Sequence, residues 1–236
     1  MDDERATSTG WRAIRPVLRL TRRVAERSFA EVRAELQAAG LDRADLADDP
    51  LDQLRRWYEQ CRDLGLHEAE AFVLSTSTSD GVPSSRYVLM RGLDRGVVFF
   101  TNRESRKGRE LETNPVAAAC FPWHVLSRQV RLVGPIEVLD DADSDAYFAT
   151  RPRGAQIGAW ASPQSEPLTG RDELERRVAE VESRFDGIDV PRPAHWGGYR
   201  LVPHEVEVWQ GRPSRLHDRF RYRLDGGAWS VERLGP

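Results

Sequence analysis

The hydrophobic pattern of the chain changes period near residue 70. Before that point, apolar residues recur every three or four positions, which is typical of one face of a helix. Two helices are predicted, over 21–39 and 50–64; the first ends at Gly40 and the second begins at an Asp-Asp-Pro signal. The predicted apolar faces are Val24, Phe29, Val32 and Leu36 in the first helix and Leu51, Leu54, Tyr58, Cys61 and Leu64 in the second.

Beyond residue 70, short apolar and β-branched runs alternate with turn residues, which is typical of antiparallel strands. The segments 71–77, 84–90 and 96–101 predict a β-meander with a first turn at Asp80-Gly81. Further strands are predicted over 116–121, over 128–139 with a bulge or bend at Gly134-Pro135, and in the four closing runs GYRLVP, EVEVWQ, RFRYRL and AWSVERL.

Three more helices are predicted between these strands. They are a short helix from Ser105 to Thr113, a helix with an acidic start in DADSDAYFATRP, and a solvated helix over 171–185. The chain has no internal repeat and no obvious linker. The pattern therefore predicts one mainly β domain over 21–236, a closed or split antiparallel barrel with peripheral helices, preceded by a flexible arm over 1–20.

Composition and charge exclude several classes of function. The 236 residues carry 35 basic and 38 acidic side chains, a net charge of −3 that argues against bulk nucleic-acid binding. No apolar run approaches the length of a membrane span, and the polar N-terminus shows no secretory signal, so we expect a cytoplasmic protein. Cys61 and Cys120 are expected to be reduced core residues. The five histidines have no metal-ligand spacing, so no metal site is expected.

Lys107 draws attention because it is the single lysine among the 35 basic residues. It stands with Arg106 in the first turn of the predicted helix that follows the strand ending at Thr101. Cations at this position oppose the helix dipole, and a bound anion would remove that conflict. A solvated basic turn explains the same residues equally well.

Two other segments have the chemistry of an anion site. Tyr147 and Arg151 lie four residues apart, hence on one helical face, and suit a phosphate or carboxylate clamp; a surface Tyr–Arg stack is the alternative. On an extended segment, Arg215, His217 and Arg219 share one face, where three basic groups favour an anionic ligand. An exposed basic strand edge is the alternative there.

Residues from about 33 to 236 resemble the pyridoxine (pyridoxamine) 5′-phosphate oxidase family of FMN-dependent flavoproteins. The stretches that carry the resemblance occur in family order: RYVLMRG, VVFFTNRESRKGRELETNP, FPWHVLSRQV, YFATRPRGAQIGAWASPQS, HWGGYR, VEVWQG and RLHDRFRY. The resemblance implies a split-barrel homodimer with two FMN sites at the subunit interface. It also implies an oxidase that moves a hydride from pyridoxine or pyridoxamine 5′-phosphate to the flavin, which dioxygen reoxidises with release of peroxide.

The resemblance also implies roles for particular residues. The FMN-binding residues would be Arg86, Tyr87, Val88, Leu89, Met90, Arg91, Phe100, Thr101, Arg106, Lys107, Gln129, Gln164, Ser165, Trp209 and Arg219. The substrate-binding residues would be Arg33, Arg91, Tyr147, Arg151, Arg215, Leu216 and His217, with Arg215 and His217 as the catalytic pair.

Three positions depart from the family pattern, all on the substrate side. Arg91 stands where the family usually has Lys, Ala155 where it often has Ser, and Leu36 replaces the Tyr of a lid motif that begins at Arg33. These departures keep a second hypothesis open, a phenazine-type FMN oxidase that dehydrogenates a reduced cyclic acid. A third hypothesis is a flavin- or pyridoxal-phosphate-binding carrier without turnover. The complete RLH motif, formed by Arg215, Leu216 and His217, disfavours it.

Overall fold

The computed structural model describes residues 27–236, which form ten strands, six α-helices and three single-turn 3-10 helices. The α-helices are α1 (Phe29–Ala39), α2 (Pro50–Asp63), α3 (Arg106–Thr113), α4 (Asp141–Ala149), α5 (Arg153–Ala161) and α6 (Arg171–Arg184). The strands are β1 (Ala71–Ser77), β2 (Pro83–Leu89), β3 (Gly92–Leu93), β4 (Val97–Asn102), β5 (Val116–Phe121), β6 (Arg128–Val138), β7 (Trp196–Leu201), β8 (Glu205–Gln210), β9 (Asp218–Asp225) and β10 (Ala228–Leu234).

All strand pairs are antiparallel, and the long strand β6 joins the two parts of the sheet. The main path runs β10-β9-β8-β6-β5-β1-β2, while β4 pairs with β3 and β7, and β7 pairs with β6. Residues 128–133 of β6 pair with β8, and residues 136–138 pair with β7. The predicted bend at Gly134-Pro135 lies at this change of partner. A side chain at Gly134 would place Cβ 2.0 Å from the carbonyl oxygen of Val202, so the close approach requires glycine.

Two apolar cores hold the helices against the sheet. In the larger one, Phe72 of β1 stacks on Phe121 of β5 with ring centroids 5.0 Å apart, and α2 buries Leu54, Trp57 and Cys61 against the barrel. The smaller core joins α4, α5 and the chain after α6 to β7; its buried members are Phe148, Ile157, Phe185, Val190 and Trp196.

The predicted fold class, an antiparallel split barrel with peripheral helices, is confirmed. Most element predictions agree with the structure to within one or two residues. The predicted meander is wrong in its third strand: β1 and β2 form the hairpin, but β4 pairs with β7 instead of returning along β2. Since β4 and β7 are about a hundred residues apart in the chain, no local turn signal indicates this pairing.

Within the described residues, the helix predicted over 21–39 begins at Phe29. Ser28 is non-helical and caps α1, because its hydroxyl accepts the N–H of Glu31 and the Glu31 carboxylate accepts the N–H of Ser28. Residues 21–26 of the predicted helix, which include Val24, and the arm predicted over 1–20 lie outside the described residues. The segment after Pro152 forms α5, a helix that the pattern did not predict.

The environment of the two cysteines differs. Cys61 is fully buried, and burial raises the pKa of its thiol to about 12. Cys120 is half-buried, and burial again raises its thiol pKa. Across residues 27–236, no helix combines the length and the apolarity needed to cross a membrane.

Candidate active site

One cavity of about 810 Å³ brings together most of the residues that the resemblance assigned. It lies between the edge strand β2, the end of β4, the start of α3 and the α4–α5 segment. The predicted site residues that line it are Arg86, Tyr87, Val88, Leu89, Arg91, Phe100, Thr101, Arg106, Lys107, Tyr147, Arg151, Gln164 and Ser165.

Lys107 is buried at one end of this cavity. Its Nζ donates to Thr101 Oγ1 at 3.2 Å, to Ser105 Oγ at 3.1 Å and to Gln164 Oε1 at 3.0 Å. Within residues 27–236, no carboxylate lies within ion-pair distance of it. Burial, and next the charge of Arg86, lower the pKa of Lys107 to about 8. A buried ammonium with only neutral partners is suited to an anionic ligand.

The cap of α3 presents further donors at the same end. Ser105 Oγ accepts the N–H of Gly108 at 3.4 Å and donates to the Asn102 carbonyl at 2.7 Å. A Cβ at Gly108 would lie 1.9 Å from the Arg103 carbonyl oxygen, so only glycine permits this tight turn. The first-turn N–H groups and Lys107 together form an arrangement that binds phosphate groups in many proteins.

Glu110, a residue that the sequence analysis did not single out, holds the two arginines beside Lys107. It accepts from Ser84 Oγ at 2.6 Å, from Arg106 Nε at 2.8 Å and from Thr76, while Arg86 lies 3.5 Å away. Burial opposes the ionisation of Glu110, but these hydrogen bonds and the charge of Arg106 lower its pKa to about 2. Glu110 is therefore ionised and fixes both guanidiniums at the cavity wall.

Arg151 and Tyr147 lie in a second cationic group of the cavity. The Arg151 guanidinium stacks over Trp196 at 4.6 Å, and its buried Nη1 has no hydrogen-bond partner in the described part of the chain. Tyr147 stacks on Phe100 with ring centroids 4.1 Å apart. Burial lowers the pKa of Arg151 most; Tyr147 acts in the opposite direction, and the positive charge of Arg91 adds to the lowering.

The expected helical face shared by Tyr147 and Arg151 is wrong, although both side chains reach the cavity. Helix α4 ends at Ala149, and Thr150 closes it by donating its N–H to the Tyr147 carbonyl at 3.1 Å. Arg151 belongs to the turn before α5, where its N–H donates to the Phe148 carbonyl. Tyr147 stacks on Phe100 and, at 6.1 Å, on Trp196, over which the Arg151 guanidinium also lies, so the two side chains share an aromatic neighbour.

A second set of assigned residues lies away from the cavity. It comprises Gln129 on β6, Trp209 on β8, Arg215, Leu216 and His217 in the turn before β9, and Arg219 on β9. Along the sheet, β6, β5 and β1 separate β8 from β2. Two further assigned residues do not line the cavity: Arg33 is exposed on α1, and Met90 is buried in the larger core.

The extended segment predicted for Arg215, His217 and Arg219 is wrong. Pro213–Arg215 is a 3-10 turn in which Ser214 and Arg215 have φ values of 58° and 61°, and β9 begins only at Asp218. The three basic residues therefore do not alternate along one strand.

The turn instead orients the His217 ring. His217 Nδ1 lies 3.1 Å from the backbone N–H of Arg212 and accepts it, so a neutral ring carries its proton on Nε2. The ring centroid lies 4.6 Å from that of Trp209. On β9, Arg219 Nε donates to Glu207 Oε1 at 3.0 Å.

The wall formed by α5 contains three residues that the sequence analysis missed, beside Ala155, which the resemblance placed on the substrate side. Ala155, Gly158, Ala159 and Ser162 follow the i, i+3, i+4, i+7 spacing of one helical face and all line the cavity. Small residues in this spacing leave space above the helix, so the spacing of small residues is the sequence signal that could have identified this cavity wall. The other missed lining residues are Ser84, Ser85, Asn102 and Trp196. Over the range 27–236, no cluster of three His, Cys, Asp or Glu residues is placed to hold a metal ion.

Comparison with known proteins identifies the family. Residues 58–185 match the family model "Pyridoxamine 5'-phosphate oxidase", and residues 196–236 match "Pyridoxine 5'-phosphate oxidase C-terminal dimerisation region", which supports the predicted homodimer. The chain is 53% identical over 213 residues to a pyridoxine/pyridoxamine 5'-phosphate oxidase of Rubrobacter xylanophilus, a match that covers 90% of this chain and 98% of that protein. A protein of the same name from Synechocystis is 48% identical over 210 residues, covering 89% and 98% of the two chains.

Solved structures agree with this result. The crystal structure of PhzG from Burkholderia lata, in complex with tetrahydrophenazine-1-carboxylic acid, matches with a TM-score of 0.77 and 36% identity, covering 82% of this chain and 95% of that one. An FMN-binding protein of Nostoc punctiforme related to pyridoxamine 5'-phosphate oxidase has a TM-score of 0.64 at 18% identity, covers 81% of this chain and all of that chain, and shows the common fold. On these matches, the chain belongs to the pyridoxamine 5'-phosphate oxidase family of oxidoreductases, as its sequence motifs predict.

Proposed function

We propose that this protein is an FMN-dependent oxidase that converts pyridoxine or pyridoxamine 5′-phosphate to pyridoxal 5′-phosphate. Dioxygen is the electron acceptor, hydrogen peroxide is released, and the amine substrate also yields ammonia. The observation that carries the proposal is a single cavity with two separate cationic groups, Lys107 with Arg86 and Arg106, and Arg151 with Arg91. Two such groups suit two phosphates, one on the cofactor and one on the substrate.

The residues at the Lys107 end fit the phosphate of FMN. The buried ammonium lacks a carboxylate partner among the described residues, and its hydrogen bond to Ser105, the N-cap of α3, places it beside the N-terminus of that helix. Arg86 and Arg106 add charge there, while Tyr87, Val88, Leu89, Gln164 and Ser165 would line the remainder of the cofactor site. When bound, FMN supplies the two-electron acceptor that dioxygen regenerates.

Arg91, Tyr147 and Arg151 would bind the phosphate of the substrate. Among the described residues, Nη1 of Arg151 is a buried donor without a partner, which a phosphate oxygen would satisfy. The stacking of the guanidinium on Trp196 fixes its plane. The hydroxyl of Tyr147 is a further donor beside it. Arg91 is suited to a bidentate contact with a phosphate.

The residues remote from the cavity would complete it from the partner subunit of a homodimer. The cavity lies along β2, an edge strand, where Tyr87 is 69% exposed; Leu216 in the RLH turn is 67% exposed. Large exposed apolar side chains at both places are typical of surfaces that another subunit covers. In this arrangement, the Nε2–H of His217 is a donor to the substrate and Arg215 supplies a positive charge beside it.

A second candidate function is oxidation of a reduced cyclic carboxylic acid. The similarity to PhzG, whose structure contains such an acid, favours it, and Arg91 and Arg151 would accept a carboxylate as well as a phosphate. The higher identity to pyridoxine/pyridoxamine 5'-phosphate oxidases favours the first candidate.

An oxygen-electrode assay on the FMN-loaded protein tests the proposal. With pyridoxine or pyridoxamine 5′-phosphate, called here the B6 phosphates, we expect oxygen uptake to match the pyridoxal 5′-phosphate formed. Unphosphorylated pyridoxine and pyridoxamine should be oxidised poorly. Turnover of a reduced tricyclic acid, with none of the B6 phosphates, would instead establish the second candidate. A protein that retains FMN but oxidises none of these compounds would contradict both.

A further inference from the structure

Arg91 makes an ion pair that its assigned role does not use. Its Nη1 lies 3.6 Å from Oε1 of Glu70, the residue that immediately precedes β1. The backbone keeps the two residues together, because the N–H of Met90 donates to the Glu70 carbonyl at 3.0 Å and the N–H of Arg91 donates to the Val98 carbonyl at 2.8 Å. Glu70 itself does not line the cavity.

This pair makes the charges of the substrate end unequal. Within residues 27–236, Glu70 is the carboxylate that lies within 4 Å of Arg91, whereas Arg151 has no such partner. The charge of Arg91 nevertheless reaches Arg151, because it lowers the pKa of that group. The substrate end of the cavity therefore has two positive charges, those of Arg91 and Arg151, and Glu70 offsets that of Arg91.

The geometry indicates that Glu70 acts mainly through its charge. The side chains of Arg91 and Glu70 are 35% and 27% exposed, and one contact of 3.6 Å joins them. Such a partly exposed pair constrains side-chain geometry weakly. Over residues 27–236, the other guanidinium N–H donors of Arg91 have no hydrogen-bond partner and can serve an anion in the cavity, but a phosphate bound there would lie near the carboxylate of Glu70.

We propose that Glu70 is an affinity-setting counter-ion, which competes with the phosphate group of the ligand for Arg91 and so weakens the binding of phosphorylated substrate and product. This inference rests on the proposed function, since it takes the ligand to be a B6 phosphate. Its consequence is faster release of pyridoxal 5′-phosphate from the cavity.

The test is Glu70→Gln, which removes the charge and keeps the size of the side chain. For the FMN-loaded dimer, we expect the dissociation constant of pyridoxal 5′-phosphate, measured by calorimetry, to fall about threefold to tenfold. The inhibition constant of inorganic phosphate falls with it, while the affinity for unphosphorylated pyridoxine and the FMN content stay unchanged. Glu137→Gln is the matched control, because Glu137 pairs with Arg95 and Arg200 outside the cavity.

A second variant tests whether the effect acts through Arg91. In an Arg91→Gln background, the gain from Glu70→Gln should shrink to less than twofold. Unchanged affinity in Glu70→Gln overturns the proposal, and weaker binding overturns it by showing that the carboxylate positions Arg91. If the unmodified protein neither binds nor oxidises a B6 phosphate, the proposed function itself fails. That result differs from one in which the unmodified protein binds the B6 phosphate and Glu70→Gln leaves the affinity unchanged.

Discussion

The two cationic ends of the cavity are built in different ways. At one end, Lys107 has three hydrogen-bond partners and Glu110 holds two arginines, so the donors are fixed before any ligand binds. At the other end, Arg151 has a buried donor without a partner in the part of the chain that the structure describes, and Arg91 makes one loose ion pair there. A preformed end suits a cofactor that stays bound, and an incomplete end suits a substrate that must enter and leave.

Loss of Lys107 is expected to cause the largest change, at the preformed end. Lys107→Ala should weaken FMN binding about 10- to 100-fold, because a buried charged hydrogen bond to the phosphate is lost. Fluorescence titration of the apoprotein with FMN measures this. Arg109→Ala is the control, since Arg109 lies on the same helix but pairs with Glu166 outside the cavity. Full FMN retention in Lys107→Ala would show that the phosphate of FMN binds elsewhere.

Loss of Arg151 tests the incomplete end. Arg151→Ala should raise the KM for pyridoxine 5′-phosphate about tenfold or more and leave the FMN content unchanged, because this guanidinium would contact only the substrate. Arg171→Ala on α6, an exposed arginine paired with Glu175, is the control. If Arg151→Ala loses FMN to the same extent as Lys107→Ala, the two ends are not separate sites.

The lowered pKa of Lys107 gives the preformed end a pH dependence. In the free protein Lys107 loses its proton above about pH 8, so FMN affinity should fall by up to tenfold per pH unit from there. The unfolded chain keeps this proton up to its ordinary pKa of 10.5, so the group's contribution to apoprotein stability rises between pH 8 and 10.5. FMN titrations from pH 7 to 10 measure the slope. Lys107→Arg should flatten it, and an equally steep slope in that variant would assign the effect to another group.

The smallest expected effect concerns Ala155 on the α5 wall. Ala155→Ser adds a hydroxyl beside the substrate end and should lower the KM for the B6 phosphates a few-fold, which corresponds to about 1 kcal/mol. Steady-state kinetics on this variant and on Ala149→Ser, an exposed position outside the cavity, provide the comparison. An unchanged KM would show that the phosphate does not approach α5 at this point.

The preformed end was the easier one to predict from the sequence, because its parts are close in the chain. The hairpin β1–β2, the strand ending near Thr101 and the helix carrying Lys107 all follow from local patterns. Gln164, whose amide oxygen accepts from Lys107, lies 57 residues away; only the family resemblance assigned it to the site.

The RLH turn, the α5 wall and the two carboxylates Glu70 and Glu110 show why local patterns fail. Alternating basic residues from Arg215 to Arg219 indicate a strand, but the positive φ values of Ser214 and Arg215 make a turn that side-chain periodicity does not reveal. The lining from α5 lacks an amphipathic pattern, because its cavity face consists of small residues. Glu70 and Glu110 are recognised only when the fold places their carboxylates beside arginines.

The central claim, that each active site combines the cavity of one chain with the RLH turn of its partner, is tested most directly with mixed dimers. Lys107→Ala and His217→Ala are unfolded together, refolded and assayed at an FMN concentration that fills the unmodified cavity but not the Lys107→Ala cavity, so each variant alone is expected to be nearly inactive. A shared site predicts that the mixed dimer regains one intact site, so about a quarter of wild-type activity returns on random pairing. If both residues served the same chain's site, no mixed dimer would contain an intact site, and activity that stayed at the level of the separate variants would contradict the claim.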